Sequence, residues 1–399
     1  MSSNTDTINN LKNSLSDMAN NPTAQKYMSK LSADREKLTK FIKENTTKVI
    51  LGVIAAVIVI FYFVVIFRRV PRFISRMKNA FDDISDVQPL QYNRKYMEKD
   101  YKLCDFWIAS SYKSYLPCTN YYDYAHIDGI KYAIKYGARY IDLDIMNKSF
   151  SSCTEPVVCG GEQVGNWHNT TSINFNEVIE FVSKYAFSGN IKNGMDPFFI
   201  NLNFKTWYNK KTIDKCAEIL KAYLSGKFLP QEFSYQGRFS NTNIATTPIK
   251  KLIGKVILIS TNDVGGTQMD ELINLNPIIG GNTRMLTYDK VKESYDPKEL
   301  AEFNKKNLTF VFPNFKDRQK DNYNFFTPYY LGCQFITMNY SEPNEWMKQY
   351  ITNFKNCSFI LKPFKLRYHP KVIKQPLDQT KKVSFAPRKV STPFYSITY

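Results

Sequence analysis

The sequence predicts an α/β protein, a (β/α)8 TIM-like barrel preceded by one transmembrane helix. Two observations carry this prediction. Residues 49–67, VILGVIAAVIVIFYFVVIF, form an uncharged apolar run between Lys48 and the pair Arg68–Arg69. From residue 105 onward, short apolar segments alternate with amphipathic helical stretches, and several of the segments are apolar on both faces. Such strands are typical of a parallel sheet that helices cover and that closes into a barrel.

The apolar run at 49–67 is predicted to cross a bilayer. A helix of its nineteen residues rises about 28 Å, close to the thickness of the hydrocarbon core. Because it is apolar on every side, a buried core helix is the weaker interpretation, and its start after 48 mostly polar residues argues against a cleaved signal peptide. Five Lys or Arg residues lie near each end, so the positive-inside rule leaves the orientation open. We therefore expect a single-pass membrane protein of undetermined orientation.

The segments outside the predicted barrel are polar and basic. Residues 1–48 are predicted to be a polar or amphipathic arm, 68–91 a basic linker, and 370–399 a basic extended tail. The formal net charge of +18 predicts acidic partners. Beside a membrane anchor these are first of all anionic phospholipid headgroups, since each nearby cation contributes about 1 kcal/mol. An acidic protein bound by the arm or tail is a further candidate, and nucleic acid a weaker one.

The seven cysteines do not predict a metal site. They lack paired C-x-x-C spacing, so structural zinc is not expected, and no cofactor is predicted. Cys153 and Cys159 are spaced to bridge a loop, but the odd total and the lack of a signal peptide favour reduced thiols.

The barrel prediction rests on a set of short apolar segments and helical patterns. The candidate strands are 106–111, 139–145, 156–159, 197–204, 256–261, 308–313, 334–338 and 358–362. The candidate helices between them are 123–136, 175–187, 210–225, 297–305 and 342–354. The segment 263–306 is predicted to be an irregular connection between two half-barrels.

One strand carries two acids. In RYIDLDI, Asp142 and Asp144 are two residues apart, so both carboxylates point to one face while Ile141, Leu143 and Ile145 take the other. This spacing aims both acids at the barrel interior, near the strand end where barrel active sites form. Two acids there require a cation, which is a metal, a lysine or an arginine.

Taken together, the segments resemble the phosphoinositide-specific phospholipase C family. The X-like half contains IASSYKSYL (108–116), GARYIDLDI (137–145), EPVV (155–158), TTSINFNEVIEFVSKYAF (170–187) and DPFFINLNF (196–204). The Y-like half contains LTFVFPNFKDRQKDNYN (308–324), YYLGCQFITMNY (329–340) and SFILKPFKLRY (358–368). The resemblance implies an X-like half-barrel over 92–262 and a Y-like half-barrel over 307–369, and it agrees with the predicted barrel.

The resemblance also implies a degenerate site. Active members use two histidines around the substrate phosphate and calcium held by Asn, Glu, Asp and Glu side chains. Here Tyr112 stands at the first histidine and Lys113 at the neighbouring Asn, whereas Asp142 and Asp144 match two calcium ligands. Asn203 replaces the later Glu. We expect the Lys113 ammonium to occupy the calcium position and neutralise the two acids, leaving the site without metal; calcium is expected only if the protein is active.

The second family histidine has no certain counterpart. Alignment from one side places Trp167 there, with His168 one position away, and alignment from the other side gives Cys159 or Gly160. We expect Tyr112, Trp167 and His168 to be non-functional as catalysts, because tyrosine is a poor general base near neutral pH.

The family's cationic headgroup positions are also changed. Ile259 and Thr261 stand at lysine positions, and Phe310 stands at an arginine position. A phosphorylated inositol ring would therefore lose charged hydrogen bonds usually worth about 1.5–3 kcal/mol each.

Three functions remain open. The first is a catalytically inactive, membrane-anchored phospholipase C-like barrel that acts as a structural or lipid-surface binding protein. The second is an active phosphoric diester hydrolase of divergent mechanism, either with calcium or independent of it, in which His168 serves as one acid/base and Tyr112 as a hydrogen-bond donor. The third is a viral membrane scaffold that binds an acidic protein or nucleic acid, an interpretation based on the Asn-, Lys- and Tyr-rich composition.

Overall fold

The chain divides into two compact units, Met1–Asn79 and Ala80–Tyr399. The computed structural model describes residues 22–81, 87–117, 124–148, 154–162, 167–168, 171–189, 191–206, 209–234, 243–277, 281–314, 322–369 and 386–399.

The first unit is helical. Helix α1 spans Pro22–Glu44 and α2 spans Thr46–Ala80, so α2 contains the predicted membrane segment. Its apolar side chains are exposed along that segment, as Phe61 and Phe67 illustrate. Within the described part of the chain, α2 is the one helix long and apolar enough to cross a membrane.

The predicted basic linker at 68–91 is helical in its first half. Helix α2 continues through Pro71 to Ala80, although a proline inside a helix removes one backbone hydrogen bond. The cations after the apolar run therefore lie on a helix rather than on an extended strand of chain.

The second unit alternates strands and helices. Its strands are β1 (Phe106–Ser111), β2 (Tyr140–Asn147), β3 (Pro156–Val158), β4 (Gly161–Glu162), β5 (Trp167–His168), β6 (Ile173–Asn174), β7 (Phe198–Phe204), β8 (Val256–Ser260), β9 (Thr283–Thr287), β10 (Leu308–Phe312), β11 (Phe335–Met338), β12 (Phe359–Leu361), β13 (Lys389–Ser391) and β14 (Ser396–Thr398). Its helices are α3 (Arg94–Glu98), α4 (Ile127–Lys135), α5 (Phe175–Tyr185), α6 (Lys210–Leu224), α7 (Tyr288–Lys292), α8 (Pro297–Phe303), α9 (Phe326–Tyr330) and α10 (Glu345–Phe354).

Seven parallel strands form the main sheet, in the order β8-β7-β2-β1-β11-β10-β9. Among the described residues no ladder joins the end strands β8 and β9. A short connection lies there instead: Leu275 forms a parallel bridge with Ile259, and the Thr283 hydroxyl donates to the Asn276 carbonyl at 3.2 Å. The barrel architecture is thus confirmed as a curled parallel sheet, while closure into eight parallel strands is not seen.

The main strands differ from the predicted parallel barrel at three places, two in direction and one in a strand that was not predicted. The predicted strands 156–159 and 358–362 form as β3 and β12, but both pair antiparallel, with β2 and β1 respectively. The predicted irregular connection 263–306 contains β9, which pairs with β10 in parallel over five residues. The apolar pattern that predicts the other strands does not detect β9, because its sequence, TRMLT, is largely polar and only one of its residues is buried.

The helices agree with the predicted segments to within a few residues, and side-chain caps explain several starts. Asn209 caps α6 through the Thr212 amide, and Asn344 caps α10 through the Met347 amide. The tail, predicted to be extended, forms the hairpin β13–β14 at its end, and residues 370–385 lie outside the described residues.

Two apolar layers enclose the sheet. Ile141, Leu143 and Ile145 of β2 pack against α5 and α6, as the alternation predicted. On the opposite face, aromatic side chains fill the interior of the curled sheet, including Tyr140, Phe199, Phe310, Phe312 and Phe335. Because strand residues alternate, β2 and β7 place polar side chains above this aromatic layer at their carboxyl ends.

Candidate functional site

The polar residues at the carboxyl ends of β2, β7 and β8 converge on one cavity of about 400 Å³. Its lining includes all the predicted metal-site residues, together with Tyr112 and Thr261. The lining residues are Tyr112, Lys113, Asp142, Asp144, Asn203, Phe204, Lys205, Thr261, Asn262, Met285 and Phe312. The sequence prediction that both acids face the barrel interior is therefore confirmed.

Asp144 is the centre of a charged cluster. Its side chain is 2% exposed, and its Oδ2 accepts from the Lys205 ammonium at 2.8 Å and from the Tyr115 hydroxyl at 3.0 Å. The Lys113 ammonium lies farther away, at 3.9 Å from the same oxygen. Lys205 also donates to the Gly161 carbonyl at 3.1 Å, which fixes the ammonium over the carboxylate.

Asp142 is held by amides rather than by ammonium groups. Its Oδ1 accepts from Asn201 Nδ2 at 2.8 Å and from Asn203 Nδ2 at 2.9 Å. Its Oδ2 accepts from the backbone N–H of Lys113 at 3.2 Å. Lys113 has a φ of +40°, in the left-handed region that asparagine tolerates better than lysine. This turn directs the Lys113 amide at Asp142.

The two carboxyl groups have opposite pKa shifts. Burial raises the pKa of Asp142 to about 6, and the neighbouring Asp144 carboxylate adds to the effect. Burial would also raise the pKa of Asp144, but the charges of Lys205 and Lys113 outweigh it and lower that pKa below its usual range. Asp144 therefore stays charged over the pH range in which Asp142 takes up a proton, and Lys205 is its closest counter-ion.

Tyr112 lies at the cavity wall, where its ring packs edge-on against Phe312 with centroids 6.0 Å apart. Burial raises its pKa further above that of free tyrosine, and the two aspartates act in the same direction. A phenol in this environment stays protonated, so it cannot accept a proton as the family histidine does.

Trp167 and His168 form β5, which pairs antiparallel with β4 so that His168 stands opposite Gly161. Because the Gly161 carbonyl accepts from Lys205, the His168 backbone lies beside the edge of the charged cluster. The alternative alignment points to Cys159, which is buried and whose amide donates to the Asp144 carbonyl at 3.3 Å.

The three predicted headgroup positions lie in two different environments. Thr261 lines the cavity and donates to Asn203 Oδ1 at 2.8 Å. Ile259 and Phe310 lie below it in the aromatic interior, where Phe310 stacks on Phe335 at 4.4 Å. These two residues are core residues here and are not exposed to the cavity.

The donor set does not fit calcium. Calcium takes about six to eight oxygen ligands, and Asp144 Oδ2, its best candidate here, already accepts from Lys205 and Tyr115. Asn203 directs its Nδ2, not its oxygen, at Asp142 and Asp144, and its Oδ1 accepts from Thr261. The positive charge beside Asp144 is the Lys205 ammonium.

Lys205 was missed by the sequence prediction, which assigned the neutralising charge to Lys113. The alternation along NLNFK could have predicted its role. Asn201, Asn203 and Lys205 are two residues apart, so they share one face, and the same face carries the two acids on the neighbouring strand β2. Tyr115 and Asn201 were also missed. Their roles depend on the turn after β1 and on the register between β2 and β7.

Residues 99–262 match the family model of the phosphatidylinositol-specific phospholipase C X domain. Over this region the chain is similar to the phosphatidylinositol-specific phospholipase C family, with a divergent sequence. The mouse 1-phosphatidylinositol 4,5-bisphosphate phosphodiesterase eta-1 is 28% identical over 142 residues, 36% of this chain and 8% of that protein. The human inactive phospholipase C-like protein 1 is 33% identical over 85 residues, 21% of this chain and 7% of that protein.

Solved phospholipase C structures share the fold. PLC21 from L. pealei superimposes with a TM-score of 0.53 and 17% identity, covering 67% of this chain and 38% of that one. PLC21 from S. officinalis gives a TM-score of 0.52 with 16% identity, covering 67% and 38%. At this identity the likeness establishes the fold alone. The matched regions span less than a tenth of the curated relatives.

Proposed function

We propose that this phospholipase C-like barrel is catalytically inactive and acts as a structural or lipid-binding protein at a membrane surface. The observation that carries the proposal is the Lys205 ammonium, 2.8 Å from Asp144 Oδ2. It supplies from within the chain the positive charge that the family obtains from calcium. A lysine held by two acceptors is a fixed charge, so it neutralises the acids without providing the open coordination positions that a substrate phosphate needs.

The loss of proton transfer supports the same proposal. The family reaction requires a group that takes the proton of the attacking inositol hydroxyl and a group that protonates the leaving oxygen. Tyr112 stands at one of these positions with a raised pKa. Removing one catalytic histidine typically costs several orders of magnitude in rate. The human relative is an inactive phospholipase C-like protein, which supports this proposal.

The proposal is tested by phosphodiesterase assays on the full chain in detergent–lipid micelles. The substrates are phosphatidylinositol and its phosphorylated forms, with calcium and with chelator, and Asp144→Ala is the control. We expect no turnover above that of Asp144→Ala in either condition. Turnover that Asp144→Ala abolishes would overturn the proposal.

Membrane anchoring through α2 is the second part of the proposal. Exposed apolar side chains along Ile50–Phe67 would be unfavourable in water, whereas lipid would bury them. We expect the chain to resist extraction by alkaline carbonate. The double variant Val57→Lys/Phe61→Lys should become extractable, because each lysine at a helix centre costs about 3 kcal/mol of insertion free energy. The matched variant Lys37→Ala/Lys43→Ala should stay in the membrane.

A calcium-independent phosphodiesterase is the second candidate. It is favoured by the backbone of His168 beside the charged cluster and by the raised pKa of Asp142, which is suited to proton transfer. In this case chelator leaves turnover intact and His168→Ala abolishes it. A third possibility, a viral scaffold that binds an acidic partner through the basic segments, stays a prediction from composition.

A further inference from the structure

A basic and aromatic surface lies at the end of the barrel opposite the cavity. Lys102 precedes β1, and Lys306 precedes β10, so both lie at the amino ends of parallel strands. The segment after β12 reaches the same edge, because the Lys362 amide donates to the Asp105 carbonyl at 2.8 Å. We use the term basal surface for the six residues Lys102, Lys306, Phe364, Lys365, Arg367 and Tyr368.

Cations and aromatic rings alternate across this surface. The Lys306 ammonium lies 4.3 Å from the centroid of the Tyr368 ring, and the Lys102 ammonium lies 5.5 Å from it. Phe364 is 65% exposed and stacks on His369 at 3.5 Å. Such a pairing of exposed rings with Lys and Arg is typical of side chains placed at the membrane–water interface.

The cations of the basal surface are poorly neutralised. Within the described residues, no carboxylate lies within 4.0 Å of the ammonium groups of Lys306 or Lys365, whereas neighbouring Lys305 pairs with Glu302 at 2.6 Å. A cavity of about 820 Å³ opens beside Lys365 and Arg367, and Glu302 is its single acidic lining residue. This surface therefore has a positive potential that favours an anionic ligand.

The chain enters the domain at the same edge. The Leu90 amide donates to the carboxylate of Asp196, just before β7, at 2.8 Å. The Val87 side chain lies 3.2 Å from the position a Cβ would take on Gly137, just before β2. Helix α2 ends at Ala80, seven residues before Val87 in the sequence, so only a short segment separates the proposed anchor from the residues that join this end of the barrel.

We infer that the basal surface docks on anionic phospholipid headgroups, leaving the candidate-site cavity directed away from the bilayer. The inference rests on the proposed role at a membrane surface. Anionic lipid is favoured over nucleic acid because the exposed Phe364 ring suits a lipid interface and because the connection from α2 joins the barrel at this edge.

The test is hydrogen exchange of the full chain in nanodiscs of phosphatidylcholine, with and without phosphatidylserine. We expect phosphatidylserine to slow exchange of the backbone amides of residues 364–369. Lys306→Glu/Lys365→Glu should remove this protection, since each cation lost weakens docking about fivefold. Lys290→Glu/Lys348→Glu, which changes the net charge equally on α7 and α10, should keep it. Unchanged exchange in the β2 and β7 peptides confirms that each variant is folded.

Three results would overturn the inference. The first is equal exchange of 364–369 in both kinds of nanodisc, and the second is equal loss of protection in the two charge variants. The third is protection by a single-stranded RNA oligonucleotide in detergent micelles where phosphatidylserine gives none, which would assign the surface to nucleic acid. Docking together with phosphodiesterase turnover would overturn only the proposed inactivity. Absence of both docking and turnover would overturn only the docking of the basal surface and would leave the proposed inactivity in place.

Discussion

At the scale of single residues, the candidate site shows how the side chains of the protein stabilise a buried pair of acids. Asp142 and Asp144 are almost inaccessible to water, and each side chain accepts at least three hydrogen bonds or ion pairs. The amides of Asn201 and Asn203 hold Asp142, whereas Lys205 neutralises Asp144. Removing one member of such a network is costly because the remaining charge loses its partner.

Replacing Lys205 tests this role. We expect Lys205→Met to lower the free energy of unfolding by about 2 kcal/mol, because it leaves Asp144 charged and buried with the more distant Lys113 as its nearest cation. Chemical unfolding in detergent micelles, followed by tryptophan fluorescence, measures the change. Lys221→Met, whose ammonium lies 3.8 Å from the exposed Glu271, is the matched control and should change the free energy by less than about 1 kcal/mol. Equal effects of the two substitutions would contradict the role of Lys205.

The raised pKa of Asp142 predicts a specific pH dependence. The folded protein keeps a proton that the unfolded chain releases, so the stability from this group is present below about pH 4. It is lost as the pH rises through the folded pKa of about 6, a loss of about 2–3 kcal/mol. The side chain in Asp142→Asn cannot ionise, so the variant does not lose this stability. The free energy of unfolding of the variant minus that of the native chain should therefore increase between pH 4 and pH 6. A difference that stays constant over this range would contradict the assignment.

At the scale of elements, the turn after β1 positions one side of the site. This turn carries Lys113 and Ser114, and the Ser114 hydroxyl accepts from the Asp142 amide at 3.1 Å. Helix α4 packs directly on the turn at Gly129, where a Cβ would lie 2.8 Å from the Ser114 carbonyl. The glycine is thus required by the close approach of two backbones rather than by its own conformation.

Gly129→Ala is expected to displace this turn. The clash with the Ser114 carbonyl should lower the free energy of unfolding by about 1–3 kcal/mol, more than the gain in helix propensity offsets. Gly226→Ala is the control, because no atom lies within 4 Å of its added Cβ. Hydrogen exchange at residues 112–116 should increase only in the first variant. Equal unfolding free energies for the two variants would show that the turn accommodates the methyl group.

The strands show what sequence patterns predict well and where they fail. The strongly apolar strands β1, β7 and β10 were predicted nearly residue for residue, because burial on both faces requires a continuous apolar run. Strand β9 was missed, since its exposed face carries polar residues, and β12 was found with the wrong direction. Direction and partner depend on the connections between strands, which local periodicity does not record.

At the scale of the whole molecule, the two sequence halves share one interior. Strand β1 pairs in parallel with β11, and its amino-terminal half pairs antiparallel with β12. The aromatic layer combines Tyr140 and Phe199 from the X-like half with Phe310, Phe312 and Phe335 from the Y-like half. Neither half buries its inner face alone.

Separation of the halves is therefore expected to prevent folding. A fragment of residues 87–277 should lack the near-ultraviolet circular dichroism of packed aromatic residues and should bind a hydrophobic dye, because β1 and the inner face lose their partners. Mixing with a fragment of residues 281–369 during refolding should restore the signal. A native-like spectrum of the first fragment alone would contradict the shared interior.

The sequence by itself determined the apolar helix, the barrel class and the inward orientation of Asp142 and Asp144. Each depends on residue type and local period, which a single strand or helix contains. The tertiary structure decided that Lys205 rather than Lys113 lies closest to Asp144, that β9 joins the sheet, and that Phe310 belongs to the core. These outcomes depend on register and on the distances between side chains from different elements, which form only when the sheet curls.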